Sequence, residues 1–491
     1  MNGMEMIAVV LEGLKPADVL RYFEELTRIP RESGHEQAVS DYLVAFAKEQ
    51  GLDVIQEPCM NVIIKKPASP GYEQAPGVIL QGHMDMVCVK EDDLDFDFET
   101  QPLPIYVDGD WIRTRGTTLG ADNGIAVAMG MAALADKSLA HPELTLLVTV
   151  EEETGMDGVL NLNPANVSGK ILLNLDSGVE GEALVSCAGG VRNFVKLPLS
   201  FTELAGDGLE SYDIVIAGLK GGHSGVEINQ NRANANKLMG RLMEALKGLE
   251  GLGVFGINGG EKDNAISKRA VLGVTVPQSA ASALQEAVAA FEARTQVEFQ
   301  SADPGITVTL EPAGLTVKVL DAQTQEKAMA ALLLLPFGPQ TMSHDIPGLV
   351  ESSSNPGTAV MTQDQLVICN AIRSSVKSLK DALNEQIAAL CRLIGAENEL
   401  VSDYPAWPYS PVSPIRDLVQ EVYKRQTGEE IRVEAIHAGL ECGFLAEKLG
   451  DIDMISMGPT MVDIHTPKEA LSISSTERLY AFLVELLKEI K

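Results

Sequence analysis

Apolar and polar positions follow two different rhythms along this chain, and the change between them divides it. From Ser33 to about Asp176, short apolar runs alternate with helical stretches. Val78-Ile-Leu80, Leu144-Thr-Leu-Leu-Val-Thr-Val150 and Ile171-Leu-Leu-Asn-Leu175 are continuous and rich in β-branched residues, as strands covered on both faces are. Val39, Leu43 and Phe46 give a helix one apolar face up to a C′ glycine, Gly51, and the spacing Ser33-Gly-His-Glu36 predicts a capping box at its start. His35 lies in that cap as a turn residue. A second, Ala-rich helix follows Thr118-Leu-Gly-Ala-Asp-Asn-Gly124. This alternation predicts an α/β fold, a mixed, largely parallel sheet flanked by helices.

Near Ser186-Cys-Ala-Gly-Gly190 the rhythm shifts to half-buried alternation, as in Tyr212-Asp-Ile-Val-Ile-Ala217. Two strands then run into long amphipathic helices: Val271–Val276 into a helix around Ala283 to Arg294, and Leu366–Ile372 into one from about Ser378 to Leu393. Their similarity suggests an internally doubled α+β unit. After the Pro-rich Tyr404–Pro411 the α/β pattern returns with Met454–Met457. The expected organisation is a first domain built from 1–187 and 403–491, with 188–402 inserted as a lid.

Charge and composition narrow the class. The 491 residues carry a formal charge of −31, which argues against nucleic acid or an anionic membrane as partner and favours retaining cations in a cleft. No apolar run reaches membrane-spanning length, and the opening Met1–Met6 lacks the basic region of a signal peptide, so a cytoplasmic location is expected. Six scattered cysteines without C-x-x-C spacing read as reduced, buried residues. The acidic run Glu91–Glu99 lacks the glycine and flanking helices of a calcium loop and reads as a solvated loop.

The chemistry collects where strands end. His83 and Asp85 close the first run, Glu151-Glu152-Glu153 the second and Asp176 the third; Asp463 and His465 follow the late strand, and Asp122 stands at a Gly-flanked tip. In open α/β sheets the ligand crevice lies outside the carboxyl ends of the strands, so distant positions converge there. His83, Asp122, Glu152, Asp176 and His465 would suit a pair of zinc-like ions, one imidazole and one terminal carboxylate each, with Asp122 shared. Asp85 would accept from the ring of His83 and fix its tautomer. Neighbours at a strand end point to opposite sides, so one of Glu151 and Glu152 binds metal while the other moves protons. Spacing leaves the two interchangeable and makes Glu153 structural.

Six motifs in order, Gly82-His-Met-Asp85, Gly120-Ala-Asp-Asn-Gly124, Glu151-Glu-Glu-Thr-Gly155, Leu175-Asp-Ser-Gly178, Gly221-Gly-His-Ser-Gly225 and Asp463-Ile-His-Thr-Pro467, resemble those of the co-catalytic zinc peptidases that include carnosinases, aminoacylases and glutamate carboxypeptidases. The resemblance runs from about Leu14 onward, with details nearest the bacterial dipeptidases that cleave Xaa-His. It implies two Zn2+ per chain, with Co2+ or Mn2+ as substitutes. It makes Glu151 the base and Glu152 a ligand, with His83 and Asp176 on one ion, Glu152 and His465 on the other, and Asp122 on both. It also implies a cis peptide after Asp122; Asn123 stands where many relatives have Asp, which leaves the bridge intact. His223 would donate to the oxyanion, Asn264 and Arg373 would hold the substrate carboxylate, and the loop of Gly439 and Glu441 would line the pocket, with Glu441 at the amino group. A homodimer through the inserted domain and dipeptide substrates follow from the same likeness. An N-acyl-amino-acid amidohydrolase on the same metal core, or a non-catalytic peptide-binding homologue, are the rival readings. His141 and His344 take no role.

Overall fold

The computed structural model describes residues 9–206 and 208–491; the opening Met1–Met6 lies outside them. The chain divides into two compact units, one of residues 1–186, 409–435 and 444–491, the other of 187–408 and 436–443.

The first unit is a mixed α/β structure. Its eight-stranded sheet runs Asp53–Gln56, Val62–Lys66, Leu144–Thr149, Val78–His83, Ile171–Asn174, Asp453–Ser456, Glu182–Cys187, Arg432–Ile436. Val78–His83 is parallel to both of its neighbours, and Ile171–Asn174 is parallel to Asp453–Ser456; Val62–Lys66 is antiparallel to Leu144–Thr149. The central runs carry no polar face because helices cover both sides: every residue of Val78–His83 and of Leu144–Thr149 is buried. Register then sets the chemistry. His83 pairs with Thr149, and the amide of Leu175 donates to the carbonyl of Gln81, so the residues after each strand emerge at one edge.

A small four-stranded sheet, in the order Met461–Val462, Ala470–Ser472, Trp111–Thr114, Ile105–Asp108, fastens the loop that carries His465 to a hairpin far earlier in the chain. The helix Ala121–Ala135 brings Asp122 to the same edge, and it lies close on the sheet at Gly130, where an added Cβ would sit 3.0 Å from Leu146 Cδ2 and nearer still to Cδ1. The helix Gln37–Gln50 ends at Gly51 in the left-handed region, as its pattern requires, but its start differs from expectation. Glu36 is the residue before the helix, and Ser33 makes no cap. Ser33 Oγ donates to Asp85, and the Glu36 carboxylate accepts from the amides of Gly34 and Glu151. Both side chains are drawn to the strand-end loops instead.

The second unit has a nine-stranded sheet with antiparallel pairing, in the order Thr307–Pro312, Leu209–Ala217, Ala270–Pro277, Gly253–Gly259, Val350–Met361, Gln365–Ser374, Gly189–Pro198, Glu397–Tyr404, with Gly338–Met342 also paired to Val350–Met361. Helices Ala235–Leu246, Ala281–Glu298, Ala322–Leu334 and Lys377–Ile394 share one apolar core with it. The two expected strand-to-helix units are Ala270–Pro277 with Ala281–Glu298 and Gln365–Ser374 with Lys377–Ile394. Residues 403–408 and 436–443, expected in the first domain, belong to this unit. The amide of Ala188 donates to the carbonyls of Ile436 and Ala438, the amides of Cys187 and Trp407 each bond the other's carbonyl, and His437 bonds Ser353 at 2.7 Å. No helix among the described residues is long and apolar enough to cross a membrane, and all six cysteines are free.

Gly130→Val should force the helix off Leu146, lowering the stability of the first unit by about 1–3 kcal/mol. A denaturant midpoint followed by circular dichroism would read this, and an unchanged midpoint would contradict the close approach.

Candidate metal centre

Three carboxylate–imidazole groups meet at the edge of the first unit's sheet. His83, Asp122 and Asp176 form one, Asp122, Glu153 and His465 a second, and His83, Glu152 and Glu153 a third, the ligand-type atoms of each lying within 4.8 Å of one another. His83 Nε2 is 3.1 Å from Asp122 Oδ1 and 3.6 Å from Asp176 Oδ1. His465 Nε2 is 3.4 Å from Asp122 Oδ2 and 2.8 Å from Glu153 Oε1. Asp122 thus turns one oxygen to each imidazole, the geometry of a shared ligand.

Glu153, and not Glu152, stands beside His465, and this corrects the reading of the glutamate run. The reason is local. Glu151 sits in the left-handed region at φ 51, and its carbonyl accepts from the amide of Met156, so it is spent on the turn and the count of projecting side chains starts one residue later. The Glu151 carboxylate joins none of the metal-type groups among the described residues. Glu152 lies near His83 and Glu153, and its backbone amide donates to Asp85.

Asp85 reaches further than the ring of His83. It is fully buried, with Oδ1 3.2 Å from His83 Nδ1, and accepts from Ser33 Oγ at 2.7 Å and from the amides of Glu152 and Glu153 at 3.2 Å each. One carboxylate therefore orients the imidazole and the two glutamates, leaving Nε2 of His83 toward the carboxylates. Arg31, wholly buried, donates to the carbonyls of Met84 at 3.0 Å and Asp85 at 3.2 Å and also to that of Gly120. It passes against Gly120, at φ 65, where any side chain would collide with its guanidinium. Glu469 clamps the other side of that turn: its buried carboxylate accepts from the amides of Leu119, Gly120, Ala121 and Asp122 at 2.8, 3.0, 2.8 and 3.3 Å. The Asp122–Asn123 peptide is cis, and the Asn123 amide donates to the carbonyl of Leu175.

The protonation pattern describes a site starved of positive charge. Burial opposes a charged His83, yet Asp176, Asp122 and Asp85 hold it well above the ordinary imidazole value. Hydrogen bonds to Asp122 and Glu153 push His465 up to about 10. Asp122, though buried, is drawn well below the usual carboxylate range by His465 and His83. Four carboxylates crowd two imidazoles here, an arrangement that favours divalent cations between them. The donor set fits a pair of such ions.

The other expected residues lie in the second unit. His223 is half-buried; its Nδ1 accepts from the amides of Gly225 and Val226 at 3.2 Å each, so the ring proton sits on Nε2. Burial, and then Arg373, lower its pKa, keeping the ring neutral. Asn264 bonds through its backbone carbonyl to the amide of Ser224 at 2.9 Å, knitting its loop to that of His223. Arg373 Nη1 donates to Tyr404 Oη at 2.9 Å. Gly439 is half-buried in its loop, and Glu441 is fully buried at the start of the helix Glu441–Leu449. His141 bonds the Pro142 carbonyl, His344 is exposed, and the run Glu91–Glu99 is mostly exposed loop. Arg31, Glu36, Glu153 and Glu469 escaped the sequence reading. Glu36 and Glu153 figure there only as a helix cap and a structural residue, and Glu469, an acidic residue four past His465, also offered a signal.

Residues 79–489 match the peptidase family M20/M25/M40, and the chain belongs to that family. It is 36% identical over 480 residues, 98% of its own length and 99% of the relative's, to the cytosol non-specific dipeptidase of Escherichia coli (strain K12). Among solved structures it is similar to aminoacylhistidine dipeptidase from Vibrio alginolyticus, at 36% identity and a TM-score of 0.93 over 98% of both chains. Aminopeptidase PepT from Bacillus cereus shares the fold at 14% identity, with a TM-score of 0.56 over 96% of this chain and 98% of that one.

Asp85→Asn would still fill the space but release the two glutamate amides and the imidazole. Metal affinity should fall about 10–100-fold, measured by chelator competition, and unaltered affinity would show that Asp85 does not organise the centre.

Proposed function

We propose that this chain is a cytoplasmic metallo-dipeptidase with two Zn2+ as its resident ions. The observation that carries the reading is Asp122, which offers separate oxygens to two imidazole–carboxylate groups, in a chain so similar along its length to relatives named as dipeptidases. His83 and Asp176 would hold one ion and His465 and Glu153 the other, with Asp122 shared. When bound, such a pair supplies Lewis acidity toward the scissile carbonyl and the attacking water.

Glu152 is the base in this reading. With Glu153 as the ligand, Glu152 stands beside the centre, where it would take a proton from the attacking water and hand it to the departing amine. The hydrogen bond its backbone N–H donates to Asp85 keeps it in place. His223 donates from Nε2 to the developing oxyanion, a role its neutral, Nδ1-accepting state suits. Arg373 and Asn264 bind the free carboxylate, with the guanidinium braced on Tyr404. The loop at Gly439 lines the substrate pocket. The second unit would also form the surface of a homodimer, and a preference for Xaa-His follows from the similarity to the Vibrio enzyme.

Glu152→Gln should keep its metal and lose about 10²–10⁴-fold in kcat, whereas Glu153→Gln should lose metal affinity and Glu151→Gln should stay close to the parent. Metal content and dipeptide turnover of the three variants decide; severe loss in Glu151→Gln alone would return the base to that position. A panel of free dipeptides against N-acyl amino acids separates this activity from amidohydrolysis, and faster turnover of the acylated series would overturn the dipeptidase reading.

A further inference from the structure

A cavity of about 290 Å³ opens in the second unit between the loop of Lys220 to His223 and the loop of Gly260 to Arg269. Its wall carries Lys220, Lys262, Lys268 and Arg269 against one carboxylate, Glu261. Lys268 pairs with Glu261 at 3.2 Å, while no carboxylate pairs with Lys220, Lys262 or Arg269 among the described residues. Uncompensated cations gathered in one concavity stand out in a chain with 38 Lys and Arg against 69 Asp and Glu. A cleft lined by one sign of charge focuses its field on an incoming ion.

We infer that this cavity is an anion subsite that selects dipeptides with an acidic side chain at the C-terminal residue. The inference rests on the dipeptidase reading, because His223 and Asn264, the proposed oxyanion donor and carboxylate contact, lie on the same wall. The α-carboxylate is common to all dipeptides and is claimed by Arg373 and Asn264, so the surplus positive charge discriminates only by side chain. The volume is small for a drug-sized ligand and ample for a side-chain carboxylate. Gly221, Gly222 and Gly260, at φ +67, +130 and +79, shape the two loops with backbone conformations that other residues rarely adopt. The three cations are exposed, so their attraction is partly screened and should weaken with salt.

The test compares kcat/KM for Ala-Glu with that for its amide isostere Ala-Gln on metal-loaded enzyme, at low and high salt. The acidic peptide should lead by about tenfold at low salt, and the lead should shrink as salt rises. Lys220→Gln with Arg269→Gln should bring the ratio near one, and Lys220→Glu should reverse it, with the Ala-Gln rate as internal reference for an intact site. Arg269→Gln alone gives a milder version of the same shift should the pair fold poorly. A ratio of one or less in the parent, or a ratio unmoved by these changes, overturns the subsite. So does an unmoved ratio with an altered molar mass in Lys220→Glu, which would assign the basic face to contact between copies. Hydrolysis of neither peptide would instead sink the dipeptidase reading itself.

Discussion

The grip of Glu469 on four consecutive amides is the constraint on which the metal centre rests. Residues 119–122 form a turn whose backbone donors all face one way, and a buried carboxylate is what satisfies them together. Burial pushes the Glu469 carboxyl up from its ordinary value, and the amides it accepts from act against that. Arg31 closes the turn from the other side through the Gly120 carbonyl. At the end of that turn each oxygen of Asp122 meets a different imidazole.

The same device recurs at the strand edge. Asp85 gathers the ring of His83, the hydroxyl of Ser33 and the amides of Glu152 and Glu153, and Glu36 takes the amide of Glu151. Loops that would be mobile if left to water are tied to buried acids. This gives the strongly acidic composition a structural reading: part of the negative charge holds backbone in place, and part faces inward for cations.

Much of this was legible in the chain, and the exceptions have physical causes. Continuous apolar runs predicted the buried strands, because such runs have no other comfortable place in a sheet covered by helices. The convergence of His83, Asp122, Asp176 and His465 followed from the rule that chemistry gathers at carboxyl ends of strands. In the glutamate run spacing left Glu151 and Glu152 interchangeable and the resemblance made Glu152 the ligand, whereas Glu153 stands beside His465 and Glu151 adopts a left-handed conformation that no spacing rule reveals. Ser33 and Glu36 have the spacing of a capping box, yet buried amides and Asp85 compete for them and win. The segment 436–443 was assigned by its neighbours in sequence, whereas its hydrogen bonds run to Ala188 and Ser353.

The hairpin that pairs Met461–Val462 with Ala470–Ser472 carries both His465 and Glu469, and it comes late in the chain. During synthesis, an early segment folded through Asp176 already holds His83, Asp122, Glu153 and Asp176, but its turn is unclamped and its second imidazole is missing. Strand Trp111–Thr114 waits with an open edge until Ala470–Ser472 docks. The group of Asp122, Glu153 and His465 is therefore complete only once that one hairpin has arrived, after almost the whole chain has been made.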